Sequence, residues 1–287
     1  MEKKEYRAIF FAILAAALYA ISSPISKLLL NEVPPRMMAA FLYLGAGLGM
    51  SFIDVIRRKN HKNTEAKLTK KELPYTIGMV MLDIAAPIFL MLGLTMTSAA
   101  NVSLLNNFEI VATSLIALLI FKEPIGKRLW VAIILITIAS IILSVEDVSS
   151  LSFSFGSIFV LLAATCWGLE NNCTRKLSVK DPLQVVVIKG FGSGLGSLII
   201  ALMSGEKIDD ISFVMWALIL GFFAYGLSIF FYIYAQRDLG AAKTSAYYAI
   251  SPFIGAALSL IIFREMPTLS FITALAIMIA GMYLAST

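Results

Sequence analysis

Charge, histidine and cysteine are all scarce in this chain. Of its 287 residues only 14% are Asp, Glu, Lys or Arg; there is one histidine, His61, and there are two cysteines, Cys166 and Cys173. The shortage of charge excludes an ordinary water-soluble domain, because 59% of the residues are hydrophobic and the mean hydropathy is +0.87, against roughly 45–50% apolar residues in soluble proteins. A lone histidine in a basic loop, without ligand-type neighbours, gives no support to a metal site, and no cofactor is expected. The cysteines lie on one apolar segment. On a helix their Cα atoms stand about 10.5 Å apart, beyond the roughly 7 Å reach of a disulfide. Long polar stretches are missing too. The longest connector, "RRKNHKNTEAKLTKKE" from Arg57 to Glu72, is basic and has no apolar set from which to build a soluble core, so neither a soluble catalytic module nor a large partner-binding loop is present.

What is present is apolar length. About 20 residues of helix, rising 1.5 Å each, cross about 30 Å of hydrocarbon. Ten stretches qualify: Arg7–Leu30, Met37–Ile56, Leu73–Thr95, Ala100–Phe121, Leu129–Val145, Phe155–Leu177, Leu183–Ser204, Phe213–Ala235, Ala241–Phe263 and Thr268–Ala285. The pattern predicts an all-α polytopic membrane protein embedded in a lipid bilayer. The basic start "MEKKEYR" precedes an apolar run too long for a usual signal sequence, so it reads as a retained first helix. Lys and Arg gather in cytoplasmic loops near helix ends. With a cytoplasmic amino terminus, 18 of them fall on that side and three (Arg36, Lys207 and Arg264) outside, which places both termini in the cytoplasm. The net charge of +5 is then a topology signal, and nucleic acid is not an expected partner.

The ten spans divide into two halves. "AANVSLLNNFEIVATSLIALLIFKE" from Ala99 aligns without a gap on "AAKTSAYYAISPFIGAALSLIIFRE" from Ala241, an offset of 142 residues. Ser103 meets Ser245, Phe121 meets Phe263, Lys122 meets Arg264 and Glu123 meets Glu265. A weaker match lays Tyr19 over Trp167 and Lys27 over Arg175. Repeats over 1–146 and 147–287, each with an odd number of spans, cross the membrane in opposite senses, the inverted arrangement in which an interface opens to either side alternately.

Ten spans as five plus five, the paired endings Ile120–Glu123 and Ile262–Glu265, and the pairs Tyr19–Ala20 and Trp167–Gly168 resemble the drug/metabolite transporter superfamily, and within it the EamA branch. The resemblance implies secondary active transport of a small metabolite, a cavity bounded by the first, third, fourth, sixth, eighth and ninth spans, and export. It names no substrate.

A charge at the centre of a span costs about 2.5–3.5 kcal/mol on the insertion scale, so each one has to face a partner or a wet cavity. Asp83, Glu109, Glu170 and Lys189 lie that deep. Asn106, Glu109 and Thr113 fall on one helical stripe, and the repeat carries that stripe onto Tyr248, Ser251 and Gly255. The stripe is expected to line a cavity, the alternative being a structural group bonded between helices. Glu170 and Lys189 read as an ion pair or as part of a site. The resemblance implies that Trp167 and Asn171 hold the first-span position that lines the cavity, Tyr19 meets Trp167 across the repeat, and Trp167, Tyr247 and Tyr248 offer aromatic faces for a cation. Glu109 or Asp83 is the expected proton carrier. Pro24, Pro87 and Pro252 inside spans read as flex points or as tolerated kinks. "KGFGSGLGS" from Lys189 lacks the lysine-serine/threonine ending of a phosphate loop, and Gly192 and Gly196 suit close helix packing instead.

The expected partners are therefore a small-molecule substrate, preferably an amine, amino-acid-like or cationic compound, and protons; a homodimer is left open. Uptake or exchange is the alternative direction. A membrane-embedded enzyme lacks a convergent nucleophile and base, and a sensor lacks a soluble binding loop. The expected location is a bacterial plasma (inner) membrane.

Overall fold

The computed structural model describes residues 3–59, 65–122, 125–147, 152–208 and 210–286; His61 and Glu123 lie outside them. The chain is built almost wholly of helices: α1 (Lys3–Ala20), α2 (Ser22–Leu29), α3 (Pro35–Lys59), α4 (Leu73–Met96), α5 (Ala99–Leu105), α6 (Phe108–Phe121), α7 (Lys127–Ser144), α8 (Phe155–Leu177), α9 (Pro182–Met203), α10 (Ile211–Gly221), α11 (Ser228–Tyr248), α12 (Ser251–Phe263) and α13 (Leu269–Ser286). One short antiparallel pair, β1 (Val145–Asp147) with β2 (Ser152–Phe153), lies between α7 and α8.

Seven helical stretches among the described residues are long and apolar enough to cross a membrane, and Ser251–Phe263 and Leu269–Ala285 are shorter apolar helices. Helix α8 spans 23 residues and carries the polar run "GLENNCTRK" from Gly168 to Lys176, which keeps it out of those seven. Such a helix avoids lipid by sitting among others: Val160, Trp167, Gly168, Glu170, Asn172 and Thr174 are all buried.

Helix α11 is a single helical run by its bonding, yet it does not run straight. Sixteen residues separate Tyr232 from Tyr248, about 24 Å along a helix axis, while their ring centroids are 4.9 Å apart. The run therefore reverses direction between them. Its first part lies antiparallel to α1: Asp238 is 4.0 Å from Arg7, Phe231 stacks on Phe11 at 5.2 Å and Ser228 donates to the Ala15 carbonyl at 2.8 Å. Its end returns to Tyr19, whose ring is 6.0 Å from that of Tyr248.

Three spans are interrupted by a turn. The breaks fall at Ile21, at Asn106–Asn107 and at Ala249–Ile250. Pro24 and Pro252 occupy the first turn of the helix that follows a break, where a missing N–H is harmless. Pro87 lies inside the uninterrupted α4. The two aligned segments also end alike. Lys122 and Arg264, 142 residues apart, close α6 and α12 in the left-handed conformation at φ 56° and 53°, which non-glycine residues seldom adopt.

Close backbone contact holds the middle of the molecule. A Cβ on Gly190 of α9 would lie 2.4 Å from the Gly47 nitrogen of α3, and one on Gly45 would lie 2.0 Å from the Leu218 carbonyl oxygen of α10. Gly192 and Gly196 face Val80 and Ile84 of α4. Both ends of the α3–α9 pair are tied as well. Glu206, beyond α9, accepts from Arg36 Nη1 at 2.9 Å and from the Met37 amide at 2.8 Å. At the opposite end Arg57 donates to Asp181 at 2.9 and 2.5 Å, while Asp181 caps α9 by accepting from the Leu183 amide at 3.1 Å.

Candidate functional site

The buried polar groups form two clusters that meet on α8. In the first, Lys189 of α9 lies between two carboxylates, 3.1 Å from Asp83 Oδ2 of α4 and 3.0 Å from Glu170 Oε1 of α8. The side chains are 6%, 0% and 3% exposed respectively, so the cluster is buried. Asp83 also accepts from the Tyr43 hydroxyl at 2.9 Å, and Glu170 accepts from Thr174 one turn on. Two carboxylates share one ammonium. Fully ionised, the group carries a net negative charge in a medium that penalises it heavily, and one added proton makes it neutral.

In the second cluster, Glu109 of α6 accepts from Asn171 Nδ2 at 2.5 Å, and the same amide lies 3.4 Å from Thr113 Oγ1. Glu109, Thr113 and Asn171 are half-buried rather than sealed. The two bonds join α6 to α8. Helices α6 and α8 approach closely because residue 168 is glycine: a Cβ there would lie 2.6 Å from Ala112 Cβ. Asn172, next to Asn171, turns to the Gly168 carbonyl at 2.8 Å.

A cluster of aromatic rings lies close by. Tyr19 has ring centroids of Trp167, Tyr225 and Tyr248 at 6.5, 5.8 and 6.0 Å. Tyr225 lies in a π-helical turn, Phe222–Leu227, a distortion frequent at functional sites. It packs on Tyr43 at 5.1 Å, and Ser22 donates to its hydroxyl at 3.2 Å. The rings run without a gap from the Glu109 side, through Tyr19 and Tyr225, to the Tyr43 that donates to Asp83.

The stripe of Asn106, Glu109 and Thr113 is not one continuous helical face, because the chain turns at Asn106–Asn107 between the first two. Asn106 is buried, with Oδ1 unpartnered among the described residues, while Glu109 and Thr113 meet Asn171. Ser251 is buried at its own helix break. Tyr247 is 38% exposed. Tyr43, Tyr225 and Ser22 were not legible as site residues, since a tyrosine or serine within an apolar span reads equally as packing. Cys166 and Cys173 are both free. Among the described residues no group of three or more His, Cys, Asp or Glu comes together as a metal-ligand set.

Comparison with known proteins adds the following. The sequence pattern of the EamA-like transporter family matches the chain twice, over residues 6–145 and 154–287. An uncharacterized transporter of Methanothermobacter thermautotrophicus is 29% identical over 270 residues, covering 88% of this chain and 78% of the relative. The uncharacterized transporter YyaM of Bacillus subtilis is 22% identical over 241 residues, covering 80% of this chain and 77% of its own. One crystal structure superposes with a TM-score of 0.72 at 13% identity, over 97% of this chain and 95% of the other, a likeness of fold alone.

Proposed function

The chain belongs to the EamA-like transporter family, and from that premise we propose that it is a proton-coupled exporter of a small polar metabolite, amine-like, amino-acid-like or cationic. It is a multi-pass membrane protein, and its relatives come from an archaeon and a bacterium; the proposed location is the prokaryotic plasma membrane. In the proposed topology ten spans form two inverted five-helix repeats, 1–146 and 147–287, with both termini cytoplasmic. The matching left-handed caps at Lys122 and Arg264 and the reversal within α11 support that count and pairing.

The observation that carries the functional reading is the half-buried Glu109 held by Asn171. A carboxylate open to an interior space attracts an amine, Thr113 and Asn171 supply polar contacts, and the Tyr19, Trp167 and Tyr248 faces favour a cation. Ser251, Tyr247 and Asn106 border the same breaks and are second-line contacts. Protons are the coupling ion in this reading. The cluster of Asp83, Glu170 and Lys189 carries one excess negative charge that a proton neutralises, and Glu170 is the chain neighbour of Asn171. Gain or loss of that proton repositions α8 against α6, so the Glu109 site tightens or loosens as the interior opens to alternate sides. Turns near Pro24 and Pro252 absorb the change, with Pro87 as a bend in α4.

The test is a thermal-shift screen of detergent-purified protein against amino acids, amines, quaternary ammonium compounds and nucleosides, run beside Glu109→Gln, followed by flux in liposomes. A ligand that binds the folded state raises the melting point by mass action. A hit lost in Glu109→Gln supports the site; a hit that Glu109→Gln leaves unchanged removes Glu109 from it.

A further inference from the structure

The breaks in α5–α6 and α11–α12 free carbonyl oxygens. At the first, the Asn107 amide bonds to Leu104 O at 3.0 Å and the Glu109 amide to Asn106 O at 3.1 Å. Each is one residue short of the usual partner four back, so Ser103 O and Leu105 O lose their helical donors. At the second, Phe253 bonds to Ile250 O at 3.2 Å instead of Ala249 O, and Pro252 has no N–H to offer Tyr248 O.

The two breaks face each other. Ser103 Oγ lies 3.0 Å from where a Cβ on Gly255 would be. Lys27 donates to Thr97 O, just before α5, at 3.0 Å and lies within electrostatic reach of Glu265, just after α12. The start of α5 thus sits beside the end of α12, and the two run antiparallel. One turn onward from Ser103 is Asn107, and one turn back from Gly255 is Ser251. Both side chains are 1% exposed. Asn107 Oδ1 and Ser251 Oγ have no hydrogen-bond partner among the described residues, while the Asn107 amide nitrogen is engaged by Met278 Sδ at 3.1 Å.

We propose that the facing helix breaks, with Asn107 Oδ1 and Ser251 Oγ at their centre, form a binding site for a sodium ion. The donors are hard and neutral: a side-chain amide oxygen, a hydroxyl, and the freed carbonyls of Ser103, Leu105, Tyr248 and Ala249. Discontinuous membrane helices hold monovalent cations with such groups. The set includes no carboxylate of the kind that divalent calcium and magnesium recruit, because Glu109 is turned toward Asn171. The site is distinct from the Asp83, Glu170 and Lys189 cluster and does not rest on the nature of the cargo.

The experiment is thermal unfolding of the full chain in detergent in NaCl, KCl or choline chloride, at constant ionic strength and pH, with 22Na+ binding measured alongside. Sodium is expected to raise the melting point saturably over choline, with one ion bound per chain. Ser251→Ala removes a ligand oxygen and should weaken the sodium response at least about tenfold. Asn107→Asp keeps the shape, adds a charge and should strengthen the response; it serves if Ser251→Ala does not fold. Identical unfolding in sodium and choline, with no 22Na+ bound, overturns the proposal. So does a sodium response that neither variant alters, which places the ion elsewhere.

Discussion

Glu170 and Asn171 are neighbours in the chain and belong to different clusters: Glu170 lies 3.0 Å from Lys189 on α9, and Asn171 donates to Glu109 on α6 at 2.5 Å. About 100° of helical rotation separates adjacent side chains, enough to aim them at different helices while one backbone carries both. A shift of α8 that lengthens one contact therefore alters the other. This is a mechanical link between a sealed ionic group and a half-open carboxylate, and it needs no intervening wire of residues.

The sealed group makes a stability prediction. Lys189→Met leaves Asp83 and Glu170 facing each other without a cation, which is expected to destabilise the folded protein by roughly 3–5 kcal/mol. Adding Asp83→Asn and Glu170→Gln to Lys189→Met removes the stranded charge and should recover most of that loss. Melting points of the three forms in one detergent check the pattern. If the single variant melts with the wild type, the ion pairs carry no net stability.

The half-open group makes a binding prediction. Asn171→Asp sets a second carboxylate against Glu109 and removes the amide donor, while Asn171→Ala only removes the donor. A lost bond to a charged group is worth roughly 1.5–3 kcal/mol, about ten- to a hundredfold in affinity. For any ligand found by thermal shift, Asn171→Ala should change affinity by up to that factor, and the change in Asn171→Asp should differ in sign or size. Equal and unaltered affinity in both would separate Asn171 from the binding surface.

The sequence made the repeat legible because the same local chemistry recurs: Phe-Lys and Phe-Arg close two helices 142 residues apart, and both basic residues take the same left-handed conformation. It also exposed Asp83, Glu109, Glu170 and Lys189, since a charge inside an apolar run is conspicuous at any register. It could not reveal that Asp83 joins Lys189, because the two are remote in sequence and the pairing depends on how α4 packs against α9. Tyr43 and Tyr225 were hidden for a related reason. A tyrosine within a span reads equally as packing, and only the fold brings one hydroxyl to Asp83 and the other to Ser22. The break at Asn106–Asn107 escaped notice because asparagine is merely a weak helix former, whereas the proline after the matching break is visible directly.

Packing at the α3–α9 contact makes a third prediction. Gly190→Ala places a methyl 2.4 Å from the Gly47 nitrogen and 2.9 Å from the Tyr43 carbonyl oxygen, both backbone atoms that cannot swing aside. Overpacking of this kind costs typically about 1–3 kcal/mol, and the same helices are tied at both ends by Glu206 and Asp181, which limits relief by sliding. The variant is expected to melt lower than wild type. Gly126→Ala, with nothing within 4 Å of the added Cβ, is the matched control and should melt close to it.

Proton coupling through α8 makes the last prediction, with outcomes that separate drive from binding. In liposomes loaded with a ligand from the screen, an imposed pH gradient should drive its movement by the wild type. Glu170→Gln keeps the size and hydrogen-bonding capacity of the side chain and removes its negative charge, leaving Asp83 alone to balance Lys189. The cluster is then neutral without an added proton, so the gradient should lose its effect while exchange of labelled for unlabelled ligand persists. Glu109→Gln should instead lose both, because it removes the carboxylate proposed to face the ligand. If Glu170→Gln responds to the gradient as the wild type does, the proton travels on another group. Glu109 itself then becomes the carrier, with ligand and proton competing for one carboxylate, and ligand binding by Glu170→Gln should weaken as the pH falls.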